Sequence, residues 1–324
     1  MRALRVLAAL VCALAFHASV HAASFDCDKA SAPREKLICA TPTLSEMDTK
    51  LAQMYQERRE LLSPQGADLL RRTEQGWLHF LAAVCPPSKI QASCLQREYK
   101  ERLDQLSHVG ERKGPFVFNR VDLFATKPYD QDEDERDESP PVSVKHVAYP
   151  LIDNASTPET LAWNKLVEKK IGPGIGDDCG AGRDEVDYRI GYANEKMIST
   201  SWTNSAYCYG TPHGFWSSST KNIVLDGSPH DLDPTELFEL GWRPELRALY
   251  GEALNAAGWT PPNVDGQTSA LSEVIDPKRW FFSDQGLEIV FSAYEGGCYV
   301  CNAPPAPITW AKLKPLLVKN SPVP

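Results

Sequence analysis

From Thr43 onward the apolar positions fall at Leu44, Met47, Leu51, Tyr55, the stem of Arg58 and Leu62, in steps of three and four that mark one face of a helix. Thr43 with Glu46 makes a capping-box pattern at its start, and Ser63-Pro64-Gln65-Gly66 ends the run. A second helix is predicted through Leu70, Trp77, Leu81 and Val84, stopped by Cys85-Pro86-Pro87, and a third through Leu95, Tyr99, Leu103 and Leu106. Three short helices make a thin core that calls for cross-links. At Gly114 the pattern changes. Phe116-Val117-Phe118, Val121 to Phe124 and the alternating Val142 to Val147 read as strands, and they form a hairpin around a charged loop. Thr157-Pro158-Glu159 opens another helix through Leu161, Trp163, Leu166 and Val167. Strands are expected at Val186 to Tyr192, Met197 to Thr203, Ile223 to Leu225 and Leu287 to Tyr294, with helices at Pro234 to Phe238, Glu245 to Ala257 and Trp310 to Val318.

The N-terminus has a separate meaning. Arg2 and Arg5, a short apolar run from Leu7 to Phe16, and Val20-His21-Ala22 describe a secretory signal over residues 1-22, with cleavage expected after Ala22. The run is too short to cross a bilayer and no later segment is long enough, so no stable membrane insertion is expected. The mature protein is therefore expected in the periplasm or secreted. Removing the leader takes the formal charge from −9 to −11 and the cysteines from nine to eight. Such an acidic balance argues against a nucleic-acid partner and is compatible with a cationic one.

Eight cysteines in an oxidising compartment read as disulfides. Cys27, Cys39, Cys85 and Cys94 fall in the helical part, and Cys179, Cys208, Cys298 and Cys301 in the remainder. In the first group local closure (27 with 39, 85 with 94) is favoured over the crossed pairing (27 with 94, 39 with 85). In the second group the pairing is open. The expected fold is thus two domains: a small all-α disulfide-stapled helical bundle (23-110) followed by an α+β domain with a mostly antiparallel sheet (115-320).

Particular residues carry family resemblances. Ser24-Phe25-Asp26-Cys27-Asp28-Lys29-Ala30, Glu35-Lys36-Leu37-Ile38-Cys39, Leu44-Ser45-Glu46-Met47-Asp48 and Tyr55 are followed by Gln75-Gly76-Trp77-Leu78, Cys85, Cys94, Tyr99 and Arg102. This ordered series resembles the LprI-type lysozyme inhibitors over roughly residues 24 to 107. Ala82-Ala83-Val84 departs from that family's Arg-Asn before the third cysteine. The resemblance implies an exported helical domain for which lysozyme inhibition has been proposed. Ala148-Tyr149-Pro150-Leu151-Ile152 and Trp163-Asn164-Lys165-Leu166 are similar to the small domain ahead of the catalytic part in PdaC-type peptidoglycan deacetylases. Four further segments, Tyr209 to Gly214, Asp233 to Phe238, Gly286 to Phe291 and Ile308 to Lys314, resemble its companion, shared with RsiV-type anti-sigma factors that sense lysozyme. No deacetylase catalytic part follows, so that activity is not implied.

Candidate chemistry is sparse. The chain has no His-Glu-x-x-His, no Gly-x-Ser-x-Gly and no Walker loop. Gly172-Pro173-Gly174-Ile175-Gly176 follows a helix, so it reads as a C-cap and turn. The seven acids between Asp130 and Glu138 read as a solvated loop or linker, with a docking site for a cationic partner as the lesser reading. Cys298-x-x-Cys301 reads as a structural disulfide, ahead of a redox dithiol or a zinc site with Cys179 and Cys208.

The surface of most interest is Tyr209, Gly210, Thr211, Pro212, His213, Gly214 and Phe215, a Gly/Pro-bounded loop proposed as the partner-binding site. His213 reads first as a turn-stabilising side chain with a backbone partner, then as a partner contact, and last as catalytic. Tyr207, Tyr209, Phe215 and Trp216 read as sheet core or, alternatively, as interface anchors. No catalytic residue, metal or cofactor is expected. The leading function is an exported protein that binds lysozyme, or another cationic cell-wall hydrolase, and inhibits or senses it. The alternative is a non-enzymatic peptidoglycan- or glycan-binding envelope protein, and a wall enzyme ranks last.

Overall fold

The computed structural model describes residues 23–129, 142–170, 181–259, 270–296, 298–299 and 301–324. The expected leader, the acidic run from Asp130 to Glu138, the glycine-rich turn at 172–176 and Cys179 lie outside the described residues.

Prolines set the helix starts. α1 (Pro33–Ala40), α2 (Pro42–Glu60) and α3 (Pro64–Val84) each begin on a proline, whose fixed φ suits the first helical position and whose missing N–H is not needed there. The capping box expected at Thr43 is not formed. Pro42 starts the helix one residue earlier, and the Thr43 hydroxyl instead accepts from the Gln96 amide of α4 (Ala92–Ser107) at 2.9 Å. Ser63-Pro64 both follows α2 and opens α3, because Ser63 Oγ caps the Gly66 N–H at 3.1 Å.

The predicted apolar stripes converge. Leu44, Leu51, Leu70, Trp77, Leu81, Val84, Leu95, Tyr99 and Leu106 form one buried cluster. Cys27–Cys39 and Cys85–Cys94 are disulfides, the local pairing. The Leu-Ser-x-x-Asp motif has a structural use: Ser45 Oγ donates to the Ile38 carbonyl at 2.7 Å, while Asp48 accepts from Ser24 N and Tyr99 Oη at 2.7 and 2.9 Å. The N-terminal segment is thereby tied, through Asp48, to α4.

The chain then forms β1 (Glu111–Lys113), β2 (Phe116–Pro128), β3 (Val142–Ile152), α5 (Pro158–Lys170), β4 (Gly182–Ala193), β5 (Met197–Cys208), β6 (Phe215–Val224) and β7 (His230–Asp231). Among the described residues these strands make a seven-stranded sheet in sequence order, antiparallel except for β3 with β4. The parallel pair is the one that needs a crossover, and α5 lies within it. Trp163 of α5 is buried against Phe118.

After the sheet come α6 (Pro234–Leu237), α7 (Trp242–Ala256), α8 (Ala270–Glu273), β8 (Trp280–Ser283), β9 (Gly286–Ile289), β10 (Ile308–Thr309) and α9 (Trp310–Leu313). The last three strands form a second, antiparallel sheet. Trp280, Phe282, Leu287, Trp242 and Leu246 pack it with α7 onto Met197 and Val224 of the large sheet. Close approach is achieved at a β-bulge carrying Gly191, where a Cβ would lie 2.1 Å from the Phe282 carbonyl oxygen. The strand expected at Leu287 to Tyr294 stops at Ile289, and the helix expected to Val318 stops at Leu313 before a 3-10 turn, Lys314–Leu316.

The helical bundle lies directly on the sheet. Phe80 of α3 meets Phe124 of β2, and Val144 of β3 belongs to the helical core. Asp153, just past β3, accepts from Ser63 N at 2.6 Å and Ser63 Oγ at 2.9 Å, placing a carboxylate at the positive end of α3. Ser63→Ala is expected to cost about 1 kcal/mol, seen as a lowered midpoint in thermal unfolding; an unchanged midpoint would show that this cap contributes nothing.

Candidate functional site

The turn between β5 and β6 is shaped by its small residues. Gly210 adopts φ 82°, and a Cβ on Gly214 would lie 2.7 Å from the Ala206 carbonyl oxygen. Thr211 Oγ1 donates to the Cys208 carbonyl at 2.7 Å, and Tyr209 Oη donates to the Val142 carbonyl at 3.2 Å. Burial pushes the Tyr209 hydroxyl up to about 12. Pro212, His213 and Phe215 are exposed, whereas Tyr209, Thr211 and Gly214 are half-buried. His213 Nδ1 lies 2.9 Å from the Gly214 carbonyl, the backbone partner that the turn-stabilising reading anticipates. A carbonyl only accepts, so Nδ1 carries the proton. The core reading of the aromatics is corrected: Tyr207 and Phe215 are 42% and 51% exposed, Tyr209 and Trp216 are half-buried, and none joins a core cluster.

A second loop, described over residues 292–296, 298–299 and 301–302, lies beside this turn. Ala293 N donates to the Trp216 carbonyl at 3.1 Å and Ser218 N to Ser292 Oγ at 3.1 Å. Tyr299 packs on His213 with ring centroids 5.0 Å apart, and Tyr294 Oη lies 3.5 Å from His213 Nε2. Sequence reasoning missed both tyrosines. The strand expected over Leu287 to Tyr294 ends on Tyr294, although Tyr294-Glu295-Gly296-Gly297-Cys298-Tyr299 is a usable signal for a displayed loop. Cys298 and Cys301 are joined in a disulfide, and Cys208 is disulfide-bonded as well.

The other concentration of polar chemistry is buried. Register places Phe124 of β2 opposite His146 of β3, and His146 opposite Glu185 of β4. His146 Nε2 lies 2.9 Å from Asp122 and Nδ1 lies 3.0 Å from Glu185, with the imidazole stacked on the Phe124 ring. Asp122 also accepts from Arg120 at 2.8 Å and from Arg102 of α4 at 3.0 Å. Arg102, fully buried, reaches Glu74 of α3 with Nε and Nη2 at 3.0 and 2.9 Å. Arg183 continues the network to Glu101 at 2.6 Å.

Burial raises the Asp122 carboxyl, but Arg120, His146 and Arg102 outweigh it and hold the group below the usual carboxylate range. For His146 burial opposes the charge, yet the hydrogen bonds to Asp122 and Glu185 push it up to about 9. Both ring nitrogens face carboxylates, so the ring is an imidazolium. The network joins α3 and α4 to β2, β3 and β4, and so clamps the helices to the sheet. Among the described residues no group of three or more His, Cys, Asp or Glu is placed to hold a metal.

Stapled helices are thus clamped by charge to a sheet, and the turn after β5 and its neighbouring loop expose aromatic rings. Within the helical part, residues 27–106 match the model described as lysozyme inhibitor LprI. The resemblance read from the N-terminal motifs is thus shown, and it supports a lysozyme-inhibitor-like role at the level of the family. A search of curated proteins gives no match. Among solved structures, a member of the DUF3298 family from Bacteroides fragilis NCTC 9343 is similar at 13% identity and TM-score 0.42, covering 65% of this chain and 96% of that one. A DUF3298 family protein from Pseudomonas aeruginosa PAO1 is similar at 13% identity and TM-score 0.42, covering 64% and 97%. Among the described residues no helix is long and apolar enough to cross a membrane.

Proposed function

We propose that this is an exported protein that binds a lysozyme or a related cationic cell-wall hydrolase and blocks it. The observation that carries the reading is the family match over residues 27–106. The loop from Tyr209 to Phe215 is the proposed contact, because it projects exposed aromatic side chains from a turn braced by its own hydrogen bonds. A glycosidase cleft accepts an extended sugar chain between two carboxyl groups, so a protruding loop with hydrogen-bond donors is a suitable plug. The formal charge, −11 without the leader, favours fast encounter with a basic enzyme.

The test is the clearing of cell-wall suspensions by lysozyme, with and without the protein, at two salt concentrations. Slower clearing is expected, with weaker inhibition at high salt because steering is screened. Replacing His213 and Phe215 together by alanine is expected to weaken inhibition about tenfold or more. An unaltered clearing rate at every protein-to-enzyme ratio would sink the reading.

A further inference from the structure

Tyr294 is the one non-glycine with positive φ among the described residues, at 67°, and its side chain is 46% exposed. An aromatic residue in the left-handed region is strained, and such strain persists only where the surroundings over-determine the backbone. Here they do. Arg279 grips both carboxylate oxygens of Glu295 at 2.6 and 3.1 Å, and Glu295 also accepts from Ser292 N at 2.7 Å. Asn302 accepts from Gly296 N and donates to the Ser292 carbonyl, both at 2.7 Å, and Cys298–Cys301 closes the base. This bracing holds a tyrosine on the surface, beside Tyr299 at 5.6 Å and His213 at 6.5 Å between ring centroids.

The charge of this patch narrows its ligand. Neither residues 209–216 nor residues 292–302 contain a lysine or arginine, and their one carboxylate, Glu295, is occupied by Arg279. The two segments themselves thus offer a phosphate-bearing ligand no cation, and Arg279 beside them is already paired with Glu295. Rings with an apolar face and a polar edge suit a ligand built the same way. A pyranose, with C–H faces and equatorial hydroxyls, is such a ligand.

We infer that Tyr294, Tyr299 and His213 form a binding site for an uncharged sugar chain, whose rings stack on the tyrosines while hydroxyls bond to the phenol and imidazole edges. This goes beyond the inhibitor reading and does not depend on it, since no lysozyme takes part.

The experiment is isothermal titration of the purified, oxidised protein with the β-1,4-linked tetramer of N-acetylglucosamine, with the glucose tetramer as a second arm. Saturable binding of either sugar is expected; binding of the first alone would add recognition of its acetamido groups. Tyr294→Gly removes the ring and suits the positive φ, so the loop should fold at least as well while affinity falls about tenfold or more. Tyr294→Phe keeps the ring and should bind within about threefold of the wild type. No binding of either tetramer up to about 10 mM, or undiminished binding by Tyr294→Gly, overturns the inference. Tyr294→Gly that binds no sugar differently but loses inhibition of wall clearing would assign the patch to a protein partner instead. The two readings therefore fail separately.

Discussion

Replacing Asp122 by alanine is expected to lower the unfolding free energy by about 3–5 kcal/mol, the usual loss when one partner of a buried ion network is removed. Asp122 is 2% exposed, and its two oxygens serve Arg102, Arg120 and His146. Without it three cations lose the carboxylate they share, with no route to water. Single domains are stable by about 5–15 kcal/mol in total, so the variant should show a large drop in urea midpoint. Arg102 is 28 residues from Glu74 and 20 from Asp122, and it links α3, α4 and β2 at once. Arg102→Ala combined with Asp122→Ala should then cost less than the sum of the two changes. A loss below about 1 kcal/mol for Asp122→Ala would mean that the network is not a stabilising clamp.

The second large effect is a dependence on alkaline pH. The His146 value in the folded chain, about 9, lies above the ordinary histidine value of 6.5. A group raised on folding contributes its stability fully below about pH 6.5, and loses it as pH rises through the folded value. Facing it are the carboxylates of Asp122 and Glu185, with Arg102, Arg120 and Arg183 behind them; the arginines stay charged throughout this range. Stability should therefore fall by about 3 kcal/mol between pH 6.5 and 9, taken as the full shift. His146→Gln, measured by urea unfolding across that range, should flatten the profile. A wild-type profile already flat from 6.5 to 9 would contradict the charged, doubly bonded imidazole.

What could be read from the chain alone was whatever a local pattern encodes. The stripes through Leu44, Leu51, Trp77 and Leu95 identified the helices because burial repeats every turn, and the alternation from Val142 to Val147 marked β3. Thr43 misled because a capping pair and a proline at the preceding position competed, and the proline set the start. β8 was missed because Trp280-Phe281-Phe282 is buried throughout and alternates nothing. For the candidate site, the turn around His213 was visible in its glycines and proline, whereas its pairing with Tyr294 joins positions 81 residues apart. His146 sat in plain view on the apolar side of an alternating strand. Its partners could not be named, since Asp122 and Glu185 meet it only once the sheet register exists, and Arg102 reaches Asp122 only once α4 packs on the sheet.

Cross-links between neighbours in the chain also bear on how the protein matures. Cys27 and Cys39 are 12 residues apart, Cys85 and Cys94 are 9 apart, and Cys298 and Cys301 are 3 apart. In a polypeptide threaded into an oxidising compartment from its N-terminus, each of these bonds can close before the next cysteine of the described pairs has emerged. For these three bonds oxidation can thus proceed vectorially, in order of arrival, without the slow reshuffling that crossed linkages impose.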